Sequence, residues 1–116
     1  MDFQSLTEHG LISPDKLAAL LRTTKAEIGG TLGLSAQALS RKDRVRAARV
    51  QSRLRHLLEL VNTMEPVIGS PLLAYAWYRS EPIIGFGGRT PERIVKDGEI
   101  DALRAHIQRR LQGGYA

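Results

Sequence analysis

"IIGFGGRTPERIV", residues Ile83 to Val95, sets three glycines within four residues directly ahead of a helix start. A dinucleotide fingerprint needs G-x-G-x-x-G, fed by a buried strand and opening a long helix within a βαβ unit. Gly85 and Gly87 fit the first two places, but Thr90 stands at the third. No strand-like run leads in, and Ile83-Ile84 is too short to count as one. The stretch therefore reads as a tight turn. Gly87 or Gly88 supplies a backbone conformation that costs other residues free energy. Thr90 caps the following helix, and Pro91 is pre-set for its first turn. Arg89 is left at a contact site, solvated, or paired with a carboxylate such as Glu92.

Working outward, proline and glycine divide the chain into helices. Ser13-Pro14-Asp15 is a cap, a first-turn proline and a first-turn acid, predicting a helix from about Pro14 to Arg22. A second is expected from Lys25 to Leu32, stopped by Gly33, although Gly29 and Gly30 each cost it roughly 1 kcal/mol against alanine. Ser35 caps a third, to about Arg41. "TKAEIGGTLGLSAQALSRK" thus has the outline of a helix-turn-helix. Val50, Leu54, Leu57, Leu58 and Val61 lie on one face of a 3.6-residue period and predict a long helix from Val45 to Met64, ended by Pro66. Ser70-Pro71 opens another, Thr90-Pro91 a short one to about Lys96, and Ile100, Leu103, Ile107 and Leu111 mark the last, from Glu99 to Gln112. No alternating strand appears. The expected fold is all-α, with an N-terminal helix-turn-helix lobe over residues 1–65 and a small helical lobe over 66–116. At 116 residues the chain is one small domain, or two lobes sharing one core.

The net charge of +5 is concentrated. Residues 41–56, "RKDRVRAARVQSRLRH", hold seven arginines and lysines against Asp43, while residues 57–116 hold seven of each sign. A localised field of this kind attracts a polyanion, most simply nucleic acid. Arg41, Lys42, Arg44 and Arg46 follow the presumed recognition helix. Arg49 and Arg53 share a face of the next helix at i, i+4, where like charges repel slightly unless an anion neutralises them. Ser35, Gln37 and Ser40 are placed to reach base edges, whereas Ala36 and Ala38 offer only small contacts. The structural alternative is a solvated face. A domain of this size covers little DNA alone, so a symmetric homodimer is expected.

Several classes are set aside. With no cysteine there is no disulfide scaffold and no thiolate zinc site, and a reducing cytoplasmic setting is allowed. "MDFQSLTEHG" has no basic region followed by an apolar run, so no signal peptide is expected. The longest uncharged stretch, Pro66 to Tyr78, is short of the ~20 apolar residues of a membrane span. His9, His56 and His106 lack partners at metal-ligand spacing. No nucleophile elbow, carboxylate pair or Walker loop is present, so neither catalysis nor a cofactor is expected.

"SPLLAYAWYRS", Ser70 to Ser80, is apolar nearly all round and points to an enclosed helix or one held at an interface. Leu72, Leu73 and Trp77 either fill the core or share the interface; Tyr75 and Tyr78 are the better contact candidates. In "QRRLQGGYA", Gly113 is placed to end the helix in a left-handed cap. Tyr115 and Ala116 lie beyond it, either folded back on Leu111 or free to enter a partner's cleft.

The run "AWYRSEPIIGFGGRTPERIVKDGEIDALRAHIQRRLQGGYA" resembles the toxin-binding domain of the Xre/MbcA/ParS antitoxins. The likeness rests on Trp77 followed by Pro82, then Phe86, Gly87, Gly88 and Pro91. An Asp97-Gly98-Glu99 turn, an amphipathic last helix and a glycine-containing tail complete it. It covers about residues 70–116, and the helix-turn-helix ahead of it matches the family's N-terminal half more loosely. The resemblance implies neutralisation of a RES-domain toxin that consumes NAD or ADP-ribosylates with it. It also implies binding to the operator of the chain's own operon. Toxin contacts then fall on Tyr75, Tyr78, Arg79, Arg89 and the tail Gly113, Gly114, Tyr115 and Ala116. The alternative is a stand-alone helix-turn-helix transcription regulator whose C-terminal half dimerises; a nucleotide-binding enzyme resting on Gly85–Gly88 is a third.

Overall fold

In the computed structural model, residues 4–113 are described. After a 3-10 turn, Gln4–Leu6, come strands β1 (Thr7–Glu8) and β2 (Leu11–Ile12). Eight helices follow: α1 (Pro14–Leu20), α2 (Lys25–Thr31), α3 (Ala36–Ser40), α4 (Lys42–Val45), α5 (Ala48–Ile68), α6 (Pro71–Ser80), α7 (Pro91–Lys96) and α8 (Ile100–Gly113). The fold is all-α apart from the small ribbon, which the sequence pattern did not announce. Thr7 pairs with Ile12 and Glu8 with Leu11, antiparallel. The loop between them is His9-Gly10, both at positive φ, 53° and 79°. Two such residues form the mirror-image turn whose twist suits a two-residue hairpin.

Side-chain caps fix four of the eight helix starts. Ser13, Thr24, Ser70 and Thr90 accept backbone N–H groups from Lys16, Glu27, Leu73 and Arg93. Ser35 occupies the N-cap of α3 without such a bond. α1 stops at Leu20 because Arg22 turns left-handed (φ 52°) and Thr23 N–H closes back on the Ala18 carbonyl.

The long helix corrects two expectations. Pro66 lies inside it, and the helix continues to Ile68. Pro66 has no N–H to donate to the Asn62 carbonyl, so the ladder is already interrupted in the last turn, and Gly69 completes the stop at φ 120°, its N–H 2.8 Å from the Glu65 carbonyl. At the other end α5 begins at Ala48, and Lys42–Val45 forms a separate turn. Arg41 and Ala47, both at extended ψ, break the chain on either side of it.

α5 is the axis of a body 46 × 27 × 21 Å. Its expected stripe, Val50, Leu54, Leu57, Leu58 and Val61, is buried, joined by Leu60 and by Gln51. One connected core runs from Leu6 and Ile12 through this stripe to Leu103 and Ile107 of α8. The residue 65/66 division expected between lobes falls within the last turn of α5. Two polar clamps tie the outer elements to it. The Gln51 amide accepts from Ile12 N–H (2.9 Å) and donates to the carbonyls of Ile12 (3.2 Å) and Val45 (3.0 Å). Arg104 of α8 donates through Nε and Nη2 to the two oxygens of Glu59, each at 2.7 Å.

Candidate interaction surfaces

The phase of α6 is the reverse of that expected for its aromatic residues. Ala74, Tyr75 and Tyr78 face inward, Tyr75 at 3 % exposure and Tyr78 at 0 %. They are core, and the expectation of Tyr75 and Tyr78 as partner contacts is corrected. Ser70 and Pro71 fix where the helix begins, and packing against α5 sets which side faces inward. The Tyr75 hydroxyl sits 3.1 Å from that of Thr31 on α2. The Tyr78 hydroxyl is buried with no hydrogen-bond partner among the described residues, and desolvation pushes its ionisation up. The outer face of α6 carries Leu72, Leu73 and Ala76, with Leu73 52 % exposed. Core placement for Leu72 and Leu73 is thus also corrected, while Trp77 is half-buried against the core. Arg79 is exposed and its guanidinium lies 5.4 Å from the centre of the Tyr75 ring.

The glycine stretch is a corner, as its spacing indicates. Gly85, Gly87 and Gly88 have φ of 90°, 67° and 80°. Ile83 N–H donates to Arg89 O (2.9 Å), Phe86 N–H to Ile83 O (3.2 Å) and Arg89 N–H to Phe86 O (3.2 Å). Arg89 locks the corner from its side chain too. Its Nε donates to Phe86 O at 2.9 Å, and its terminal nitrogens reach Glu99 at 2.7 and 3.2 Å and Asp97 at 3.1 Å. This bridge holds the Glu99 carboxyl below its ordinary range. Arg89, expected at a toxin contact or beside Glu92, instead serves the loop; Glu92 pairs with Lys96 at 2.9 Å. At the tip, Ile84 is 77 % exposed.

The cationic segment lies at the opposite end of α5. Arg41, Lys42, Arg44, Arg46 and Arg49 are exposed, as are Ser35, Gln37 and Ser40. Arg41 approaches Asp43 at 3.7 Å. Arg53 departs from the expected set. It is half-buried, and its guanidinium donates to the carbonyls of Leu32 (2.9 Å) and Gly33 (3.2 Å) at the end of α2. There it caps the negative end of a helix dipole instead of standing beside Arg49 to meet phosphate. Ala38 is buried, facing the core with Leu39.

His106 stacks edge-on to Phe86 at 5.6 Å, and burial followed by Arg110 and Arg109 lowers its pKa. His56 is half-buried on α5, its pKa lowered first by burial and then by Arg104. Among the described residues no three His, Asp or Glu side chains converge as a metal site would need. No helix described is long and apolar enough to cross a membrane. Gly113 is the last residue of α8 and is not left-handed, correcting the expected cap. Gly114, Tyr115 and Ala116 lie outside the described residues.

Comparison with family models, curated proteins and solved structures finds no match for the chain.

Proposed function

We propose that this chain is an antitoxin that binds and blocks a RES-domain toxin, and that it represses its own operon by binding DNA as a dimer. It performs no chemistry of its own and acts in the cytoplasm by covering surfaces. The observation that carries the reading is the polarity of α5. A cluster of exposed cations stands at its start, and an exposed apolar helix face, Leu72, Leu73 and Ala76, follows its end. The 21 residues between span about 30 Å at 1.5 Å per residue. One end suits a polyanion and the other a protein surface. The order of elements supports the antitoxin reading further: a helix-turn-helix outline in α2–α3, then a glycine corner, an acid-glycine-acid turn and an amphipathic last helix, as in the Xre/MbcA/ParS antitoxins.

With Tyr75 and Tyr78 in the core and Arg89 committed to its loop, the toxin contact falls to the outer face of α6, to Arg79, and to the tail from Gly113 to Ala116. The DNA contact falls to Arg41, Lys42, Arg44, Arg46 and Arg49, with Ser35, Gln37 and Ser40 beside them. Pull-down of a RES-domain protein encoded beside this chain tests the reading. Leu72→Asp with Leu73→Asp abolishes capture if α6 is the docking face. Undiminished capture by that variant argues against it.

A further inference from the structure

A knob and a hollow lie side by side near the C-terminal end of α5. The hollow, about 350 Å³, is lined by Met64 and Val67 of α5, Trp77 of α6 and Leu111 of α8. Ile84 stands at its lip, more exposed than any other large apolar side chain described. Its exposure is enforced. The corner that carries it is held by the Ile83–Arg89 backbone bond and by the Arg89 bridge to Asp97 and Glu99. Val67, 47 % exposed, adds to the apolar area. Two opposite charges flank the same hollow, Glu81 just past α6 and Arg110 on α8. Among the described residues neither makes an ion pair.

We propose that this face is a two-fold interface with a second copy of the chain. Each Ile84 enters the other copy's hollow between Val67, Trp77 and Leu111, and each Glu81 meets the other's Arg110. A two-fold interface must be complementary to itself, since residue i meets j while j meets i. Here knob and hole, acid and base, occur together on one face of one chain. At 3.6 residues per turn Leu72 lies about 140° and Ala76 about 100° round α6 from Trp77, so these two stay clear of the hollow, whereas Leu73, about 40° from Trp77, stands at its edge. The proposal does not depend on a toxin or on DNA; the chain alone dimerises this way.

Sedimentation velocity on the whole chain, alone across micromolar concentrations, tests it. The wild type runs as a dimer. Ile84→Asp alters only an exposed side chain, keeps the helical circular dichroism and melting temperature, and raises the dimer dissociation constant about tenfold or more. Glu81→Arg and Arg110→Glu each weaken the dimer, and the double reversal restores it by re-forming both pairs. A monomeric wild type overturns the proposal. So does a dimer indifferent to Ile84→Asp, or a double reversal no tighter than the single ones. Loss of capture of a purified RES-domain protein by an Ile84→Asp chain of unchanged mass assigns the hollow to that protein instead, and also overturns it.

Discussion

The hydroxyls of Thr31 on α2 and Tyr75 on α6 lie 3.1 Å apart, both in residues buried to within a few per cent. Thr31 donates its own proton to the Glu27 carbonyl at 2.9 Å, so Tyr75 is the donor of the pair. This bond joins the N-terminal helices to the C-terminal ones across the core. Tyr75→Phe removes one buried hydrogen bond and costs about 0.5–1.5 kcal/mol. Thr31→Val strands the Tyr75 hydroxyl and costs more, about 1–3 kcal/mol. Urea titration of the three chains checks the order. Because Tyr75 is internal, Tyr75→Phe leaves partner capture unchanged.

The glycines separate into two classes by backbone angle. Gly87 and Gly88 have left-handed φ, and a Cβ at either meets nothing within 4 Å. Alanine there is penalised by conformation alone, by about 1–2 kcal/mol. Gly30 is helical in α2, and its Cβ position is equally open. Gly30→Ala therefore stabilises the chain by about 0.5–1 kcal/mol. Opposite shifts in the urea midpoint are expected, and equal signs contradict the assigned angles.

Acid weakens the fold in two stages. His56 and His106 have folded pKa values below the ordinary 6.5, chiefly from burial. Glu59 lies below 4.5 through its hydrogen bonds to Arg104, and Glu99 through those to Arg89. In each case the unfolded chain binds more protons than the folded one, so stability rises with pH. The histidine contribution is present above about pH 6.5 and fades below it as pH falls through the lowered values; the carboxylate contribution fades below about pH 4.5. Urea midpoints taken from about pH 7 to about pH 4 should fall throughout. Glu59→Gln removes part of the lower step.

On the proposed reading, the exposed cations make DNA binding depend on salt. Five phosphate contacts give a slope near −4.5 in log K against log salt, a loss on the order of several hundredfold between about 50 and about 200 mM. Arg44→Ala with Arg46→Ala flattens the slope by about two. Arg53→Ala lowers stability by uncapping α2 and leaves the slope unchanged. Fluorescence anisotropy on labelled duplex checks all three.

Much of this fold is legible in the sequence because its signals are local. Ser13, Ser70 and Thr90 mark helix starts by chemistry acting within three residues, and the Val50–Val61 stripe marks the buried side of α5. What escapes depends on distant partners or on weak local cost. The hairpin has strands of two residues, stabilised by Gln51, which is 39 residues from Ile12. Arg22 adopts a conformation more typical of glycine, so nothing local announces the end of α1. Pro66 misleads because the helix absorbs the lost bond to the Asn62 carbonyl and runs two residues further. The surfaces are less legible than the fold. On α6 an aromatic residue reads as an interface anchor, yet which side faces out is set by packing against α5, and Tyr75 and Tyr78 go inward while Leu72 and Leu73 go outward. Arg53 reads as a free cation until the carbonyls of Leu32 and Gly33, twenty-one and twenty residues away, come into place, and the carboxylates that Arg89 meets are Asp97 and Glu99, eight and ten residues on, where the sequence offered Glu92.

The most direct measurement is NAD turnover by a RES-domain toxin encoded beside this chain, assayed while the purified chain is titrated in. The account predicts that turnover falls to zero at a fixed stoichiometric ratio, and that Leu72→Asp with Leu73→Asp releases it. Full NAD turnover at saturating chain, with no complex in solution, contradicts the account.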